Sequence, residues 1–132
     1  SDVYKRQKCG VGVENHYYLA RMRAGINGAK DQKLGNQVKI VMPNPAHVNI
    51  SAAAVSKYAK NKSAAIKLIE FLASPNGSRG IAGPTFEFPL TGVGGSTYLK
   101  GMTKFTPDNV SISQLSALNP KAIQLMAQAG WQ

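Results

Sequence analysis

The sequence predicts an α/β fold, because short runs with the two-residue period of a strand alternate along the chain with segments of helical period. Val38-Lys39-Ile40-Val41-Met42 and Val48-Asn49-Ile50-Ser51 supply the strand pattern. From Asn61 the period turns helical: Ala65, Leu68, Ile69 and Leu72 share one side, while Lys62, Lys67 and Glu70 lie off it.

Taken in order, Cys9 to Val13 is a small, apolar run containing Gly10 and Gly12, which suits a buried strand entering a tight turn. Asn15 stands where an N-cap would, so His16, Tyr17 and Tyr18 form the first turn of a helix that runs through Leu19, Ala20 and Met22 and fails near Gly25. Gly25 to Gln37, rich in Gly, Lys and Asn, reads as a loop or a frayed helix. Pro43 and Pro45 close the first strand, and the small residues Ala52 to Ala54 follow the second.

The Asn61 helix ends before Pro75. Ser74-Pro75 suits the start of a short helix that Gly77, Gly80 and Gly83 weaken. Phe86-Glu87-Phe88-Pro89 reads as a short extended piece. The last helix is expected from Asn119 as N-cap and Pro120 at its first position, with Ala122, Ile123, Met126 and Ala129 on one face and Gly130 as its stop.

The bulk properties narrow the classes. A chain of 132 residues that is 43% hydrophobic and 17% charged has enough apolar material for one modest core, unlike a disordered tail or a fibre. No stretch reaches the roughly 20 apolar residues of a membrane-spanning helix. The 16 Lys+Arg against 6 Asp+Glu give a net charge of +10. Because the basic residues are spread along the chain without a basic and aromatic stripe, they speak against nucleic acid as the partner. Cys9 is the only cysteine, so the chain has no internal disulfide and no multi-cysteine metal site.

Asp2-Val3-Tyr4-Lys5-Arg6-Gln7 is what GAT-GTG-TAT-AAG-AGA-CAG encodes, and that string resembles the end of a transposase adapter used to prepare sequencing libraries. Residues 1–7 are therefore expected to be a translated scar on a fragment. Without them 14 Lys+Arg and 5 Asp+Glu remain, a net charge of +9.

Templates for catalysis are missing: the chain has no G-x-S-x-G, no G-x-x-x-x-G-K-[ST], no H-E-x-x-H and no C-x-x-C. His16 and His47 are its only imidazoles, and an enzyme is not expected. Gly92-Val93-Gly94-Gly95 reads as a loop, for want of a framing strand and helix.

Tyr17-Tyr18 is the feature with chemical content. Fe3+ is a hard cation suited to anionic oxygen, and phenolate is such a donor, as in the tyrosine-ligated haem of catalase. A free phenol titrates near 10, so the ion itself must drive deprotonation, helped by the positive partial charge at a helix N-terminus. Adjacent helical residues point about 100° apart, which leaves open a structural alternative with one tyrosine in the core and one at the surface.

The segment from Cys9 to Met22, with Val13, Asn15 and Tyr17-Tyr18-Leu19-Ala20-Arg21-Met22, resembles the iron-ligand segment of periplasmic ferric-iron-binding proteins of ABC importers, where Asn-x-Tyr-Tyr is typical. The likeness continues through His47-Val48-Asn49-Ile50-Ser51, Ala53, Val55-Ser56-Lys57, the Asn61 helix, Ser74-Pro75, Phe86-Glu87-Phe88-Pro89, and Asn119-Pro120 to Trp131. It implies the C-terminal portion of a two-lobed type II periplasmic-binding-protein fold. Residues 8–47 and 91–132 would form the tyrosine-bearing lobe, and 48–90 the crossover with a piece of the other lobe. Tyr17 and Tyr18 would be ferric ligands, and Asn15 would support the site or a synergistic anion. The expected partner is a membrane permease, the expected location the periplasm, and the expected state of the full-length protein monomeric. His16 departs from the family pattern; a solvated first-turn side chain is expected there, with an extra ligand as the alternative. A binding protein for another small solute and a basic nucleic-acid-binding module are the competing functions. As a fragment, the chain is expected to expose apolar surface along Ala65–Leu72 and to hold little iron by itself.

Overall fold

The computed structural model describes residues 10–92 and 95–131. The proposed scar, Cys9 and the centre of the Gly92–Gly95 loop lie outside the described residues. The chain divides into two units, one containing the residues up to Val41 together with Ser51–Lys104, the other Met42–Ile50 and the residues from Phe105.

The expected α/β architecture, and with it the partial type II periplasmic-binding fold, is overturned: the described residues form α-helices and no sheet. The helices are α1 (His16–Ala24), α2 (Ala29–Gln37), α3 (Lys62–Ala73), α4 (Pro75–Thr85) and α5 (Ile112–Gln128), with a 3-10 turn at Thr97–Leu99. The only β pairing among the described residues is an isolated bridge between Ala46 and Pro107. A strand exists through its partner, and the alternating runs at 38–42 and 48–51 find none; nor does Phe86–Pro89. Alternation marks a segment that could be half-buried. It does not supply a neighbour.

In the first unit, α1 begins at Asn15, whose extended backbone fits the N-cap position, and ends at Gly25 in the left-handed conformation (φ 73°), with the Gly25 amide donating back to Arg21 and Met22. The region expected to be a loop contains α2, fixed by contacts that local sequence does not display. The Arg23 side chain donates to the Gly35 and Val38 carbonyls at 3.3 and 3.0 Å, and Gln32 Nε2 donates to the Arg23 carbonyl at 3.0 Å. Gly35 permits the approach, since a Cβ there would stand 2.7 Å from Met22 Cβ.

The α3–α4 pair is joined by Ser74, at once the C-cap of α3 and the N-cap of α4. Its hydroxyl donates to the Phe71 carbonyl at 2.6 Å and accepts from the Gly77 amide at 3.3 Å. The three glycines do not prevent an eleven-residue α4, because this cap and the packing on α3 outweigh their propensity cost of about 1 kcal/mol each. Ala65, Ile69 and Leu72 on α3 are half-buried, whereas Leu68 and Phe71 are exposed, so the expected apolar exposure holds for part of that face. Phe86 caps α4 at φ 62°, an unusual conformation for a bulky residue, yet its side chain is buried. It joins Leu19, Ala20, Leu99 and Met102 in the core cluster, with Tyr17, Ala24, Ile40 and Phe88 packed at the margin.

In the second unit, Ala46 donates to the Thr106 carbonyl at 2.8 Å and accepts from the Asp108 amide at 2.9 Å. His47 Nδ1 meets Asp108 Oδ2 at 2.9 Å on the same stretch. Helix α5 starts eight residues earlier than the first residue expected from Asn119-Pro120, because Ser111 and Gln114 form a reciprocal capping box. Pro120 lies inside it. None of its residues is buried, and Ile112, Leu118 and Ile123 are each about three-fifths exposed.

Two glycines of α4 give opposite expectations. A Cβ at Gly77 would overlap the Phe71 carbonyl oxygen and lie 2.6 Å from Leu72 Cα, while one at Gly80 would meet nothing within 4 Å. Gly77→Ala should cost at least about 2 kcal/mol, as overpacking against backbone does, and Gly80→Ala should add about 0.5–1 kcal/mol through helix propensity. Urea midpoints of the two variants test this pair.

Candidate metal centre

The first turn of α1 gathers the aromatic and polar groups singled out from the sequence. Leu19 and Ala20 are buried, which fixes the rotation of the helix and leaves Tyr17 at the margin of the core with Tyr18 37% exposed. A regular helix would splay Tyr17 and Tyr18 by about 100°. Here their rings lie 4.6 Å apart at 45° to one another. The two rings therefore lie side by side at the helix start.

Asn15 supports this arrangement. Its side chain makes no capping hydrogen bond; instead Nδ2 donates to the Tyr17 hydroxyl at 3.3 Å. The Tyr17 phenol is held above its ordinary value near 10, first by a hydrogen bond with the Tyr18 hydroxyl, then by burial, then by the charges of Tyr18, Glu87 and Glu14. Without a cation the Tyr17 phenol therefore stays protonated at neutral pH. Any cation that ligates it must displace protons.

His16 is half-buried rather than fully solvated. It stands four residues before Ala20, on the buried face of α1. Its Nε2 hydrogen-bonds the Phe86 carbonyl at 3.1 Å, its ring stacks on Phe88 at 4.2 Å and 12°, and it meets Tyr17 edge-on at 5.8 Å. A carbonyl only accepts, so Nε2 carries the proton. Burial lowers the His16 pKa from 6.5, against the raising effects of the Phe86 carbonyl and the Glu87 charge.

His47 is in the other unit, paired with Asp108. Among the described residues no three His, Cys, Asp or Glu side chains gather as a metal-binding group. Sequence reading passed over Glu87: its link to α1 runs through contacts between residues 70 positions apart in the chain, which no local pattern displays.

No protein-family model matches the chain. Over 129 residues, 92% of this chain, it is 33% identical to iron uptake protein A2 of Synechocystis sp.. Over 125 residues, 91% of the chain, it is 31% identical to iron uptake protein A1 of the same organism. These matches take in 37% and 34% of the relatives, so the chain spans about a third of the length of the curated relatives it matches. It is similar to iron-uptake proteins, and the similarity includes nearly all of the sequence in hand.

The His16 environment sets a pH response. With its pKa lowered in the fold, the unfolded chain binds the extra proton first as pH falls. Stability should therefore be flat in this group's contribution above about 6.5, its ordinary value, and decline below it until the lowered folded value is passed. His16→Gln, which keeps a donor for the Phe86 carbonyl, should remove that part of the decline. Thermal melts of both proteins between pH 7.5 and 5 are the measurement.

Proposed function

We propose that this chain acts in iron uptake by binding ferric iron through the paired phenolates of Tyr17 and Tyr18, as part of a periplasmic protein that hands the ion to an ABC importer permease. The observation that carries the reading is the convergence of two adjacent tyrosine rings to 4.6 Å at the first turn of a helix. The named relatives, both iron uptake proteins, support the choice of iron.

The chemistry is consistent with the geometry. Ferric iron prefers hard anionic oxygen, and two phenolates supply it in a short reach. Displacing the Tyr17 and Tyr18 protons costs little beside the field of a trivalent ion, and the helix N-terminus adds a favourable partial charge. Asn15, already bonded to Tyr17, holds the first phenolate in place or meets an accompanying anion. Two phenolates do not complete an octahedral sphere. The remaining positions fall to further protein groups, a synergistic anion or water, so affinity in the isolated chain should be weak. Binding and delivery of an ion require no catalytic acid or base, in keeping with a sequence that proposes none.

Titration with ferric nitrilotriacetate should develop a visible phenolate-to-iron charge-transfer band. Tyr17→Phe together with Tyr18→Phe should abolish it, with each single variant reducing it. A band that survives in the double variant contradicts the assignment.

A further inference from the structure

The Tyr17 ring is held by the two residues that precede it. Asn15 Nδ2 donates to its hydroxyl at 3.3 Å, and the His16 ring meets it edge-on, with centroids 5.8 Å apart and planes at 76°. The His16 ring is itself held. Phe88 stacks on it at 4.2 Å and 12°, and the Phe86 carbonyl, 70 positions along the chain, accepts from its Nε2 at 3.1 Å. The stack sets the plane of the imidazole and the hydrogen bond sets its rotation within that plane. The segment that supplies both is anchored in turn: the Phe86 side chain is buried in the core cluster, and Ser51 Oγ donates to Glu87 Oε2 at 2.9 Å. A continuous series of contacts thus runs from Phe86–Phe88 through the imidazole to the Tyr17 ring, with the Tyr18 ring beyond it at 4.6 Å.

We propose that His16 is a positioning residue for the Tyr17 ligand, and that Phe88 sets Tyr17 through it. The inference rests on the ferric reading above and deepens it. A half-buried tyrosine otherwise keeps rotamer freedom, and ordering it when the ion arrives costs affinity. Groups that orient a metal ligand from behind change affinity by about ten- to a hundredfold when they are removed. Imidazole suits this place because it offers a flat aromatic face to Phe88 and an N–H to the Phe86 carbonyl at once. Glutamine supplies only the donor and phenylalanine only the face.

The test uses the whole 132-residue chain with Phe88→Leu, His16→Gln, His16→Phe and the double variant of His16→Gln with Phe88→Leu. In the metal-free chain carrying 13C-labelled tyrosine, Phe88→Leu should move the Tyr17 ring resonances. In the His16→Gln background the same change should move them no further, as coupling through the imidazole requires. In titrations with ferric nitrilotriacetate, Phe88→Leu and His16→Gln should each weaken binding about tenfold and shift the maximum of the tyrosinate band. His16→Phe should lose less. Melting temperatures verify folding; should His16→Gln unfold, His16→Phe replaces it in the single and double variants. Unchanged Tyr17 resonances and wild-type ferric affinity in the folded variants would overturn the role of His16 and leave the tyrosine site standing. A Phe88→Leu effect on Tyr17 that persists at full size without the imidazole would overturn the route through His16. A wild-type chain with no band would instead bring down the ferric reading and this inference with it.

Discussion

Leu19 and Ala20 pack into the cluster of Phe86, Leu99 and Met102, and the orientation of the tyrosine turn follows from that burial. Once these two neighbours of Tyr18 are committed to the core, the preceding residues have a fixed rotation about the helix axis. His16 shares the buried face, and Tyr17 and Tyr18 come round toward the outside. Phe86 reinforces the arrangement twice, with its side chain in the core and its carbonyl bonded to His16. Its left-handed backbone, costly for a residue with a Cβ, is held by that burial.

How much of this could be read in advance depended on whether the signal was local. The helix starts at Asn15, Asn61 and Ser74 were legible from nearby residues, and at Asn61 and Ser74 the side chain caps an amide three residues on. So were the helical period of α3 and the stop at Gly25. The strands were not, since alternation at 38–42 and 48–51 is only half of a pairing. Helix α2 was hidden for another reason: Gly25, Gly28 and Gly35 masked the helix formers Ala29, Lys30, Gln32, Lys33, Leu34 and Gln37, while Arg23, Gln32 and the close approach at Gly35 tie it to α1. The start of α5 was misplaced although a signal existed, the Ser111 and Gln114 capping box, which Asn119-Pro120 imitates further along.

The site divides in the same way. Asn15, Tyr17 and Tyr18 are contiguous, so their candidacy could be stated from residue type and position. The i, i+4 relation of His16 to Ala20 would have placed the imidazole on the core side had it been weighed against its polarity. Glu87 enters only through tertiary contacts. Electrostatically, two of the six acidic residues of a strongly basic chain, Glu14 and Glu87, bear on Tyr17. Without a cation they make the phenol harder to ionise; with one they become part of its attraction. The same groups thus oppose the empty, charged state and favour the filled one.

The central claim is that both phenol oxygens bind the ion directly, and resonance Raman spectroscopy of the ferric-loaded chain, excited within the visible band, addresses that bond. The account predicts enhanced tyrosinate ring modes and an iron–oxygen stretch, both shifting when tyrosine is isotopically labelled. A ferric complex with no tyrosinate enhancement would contradict it.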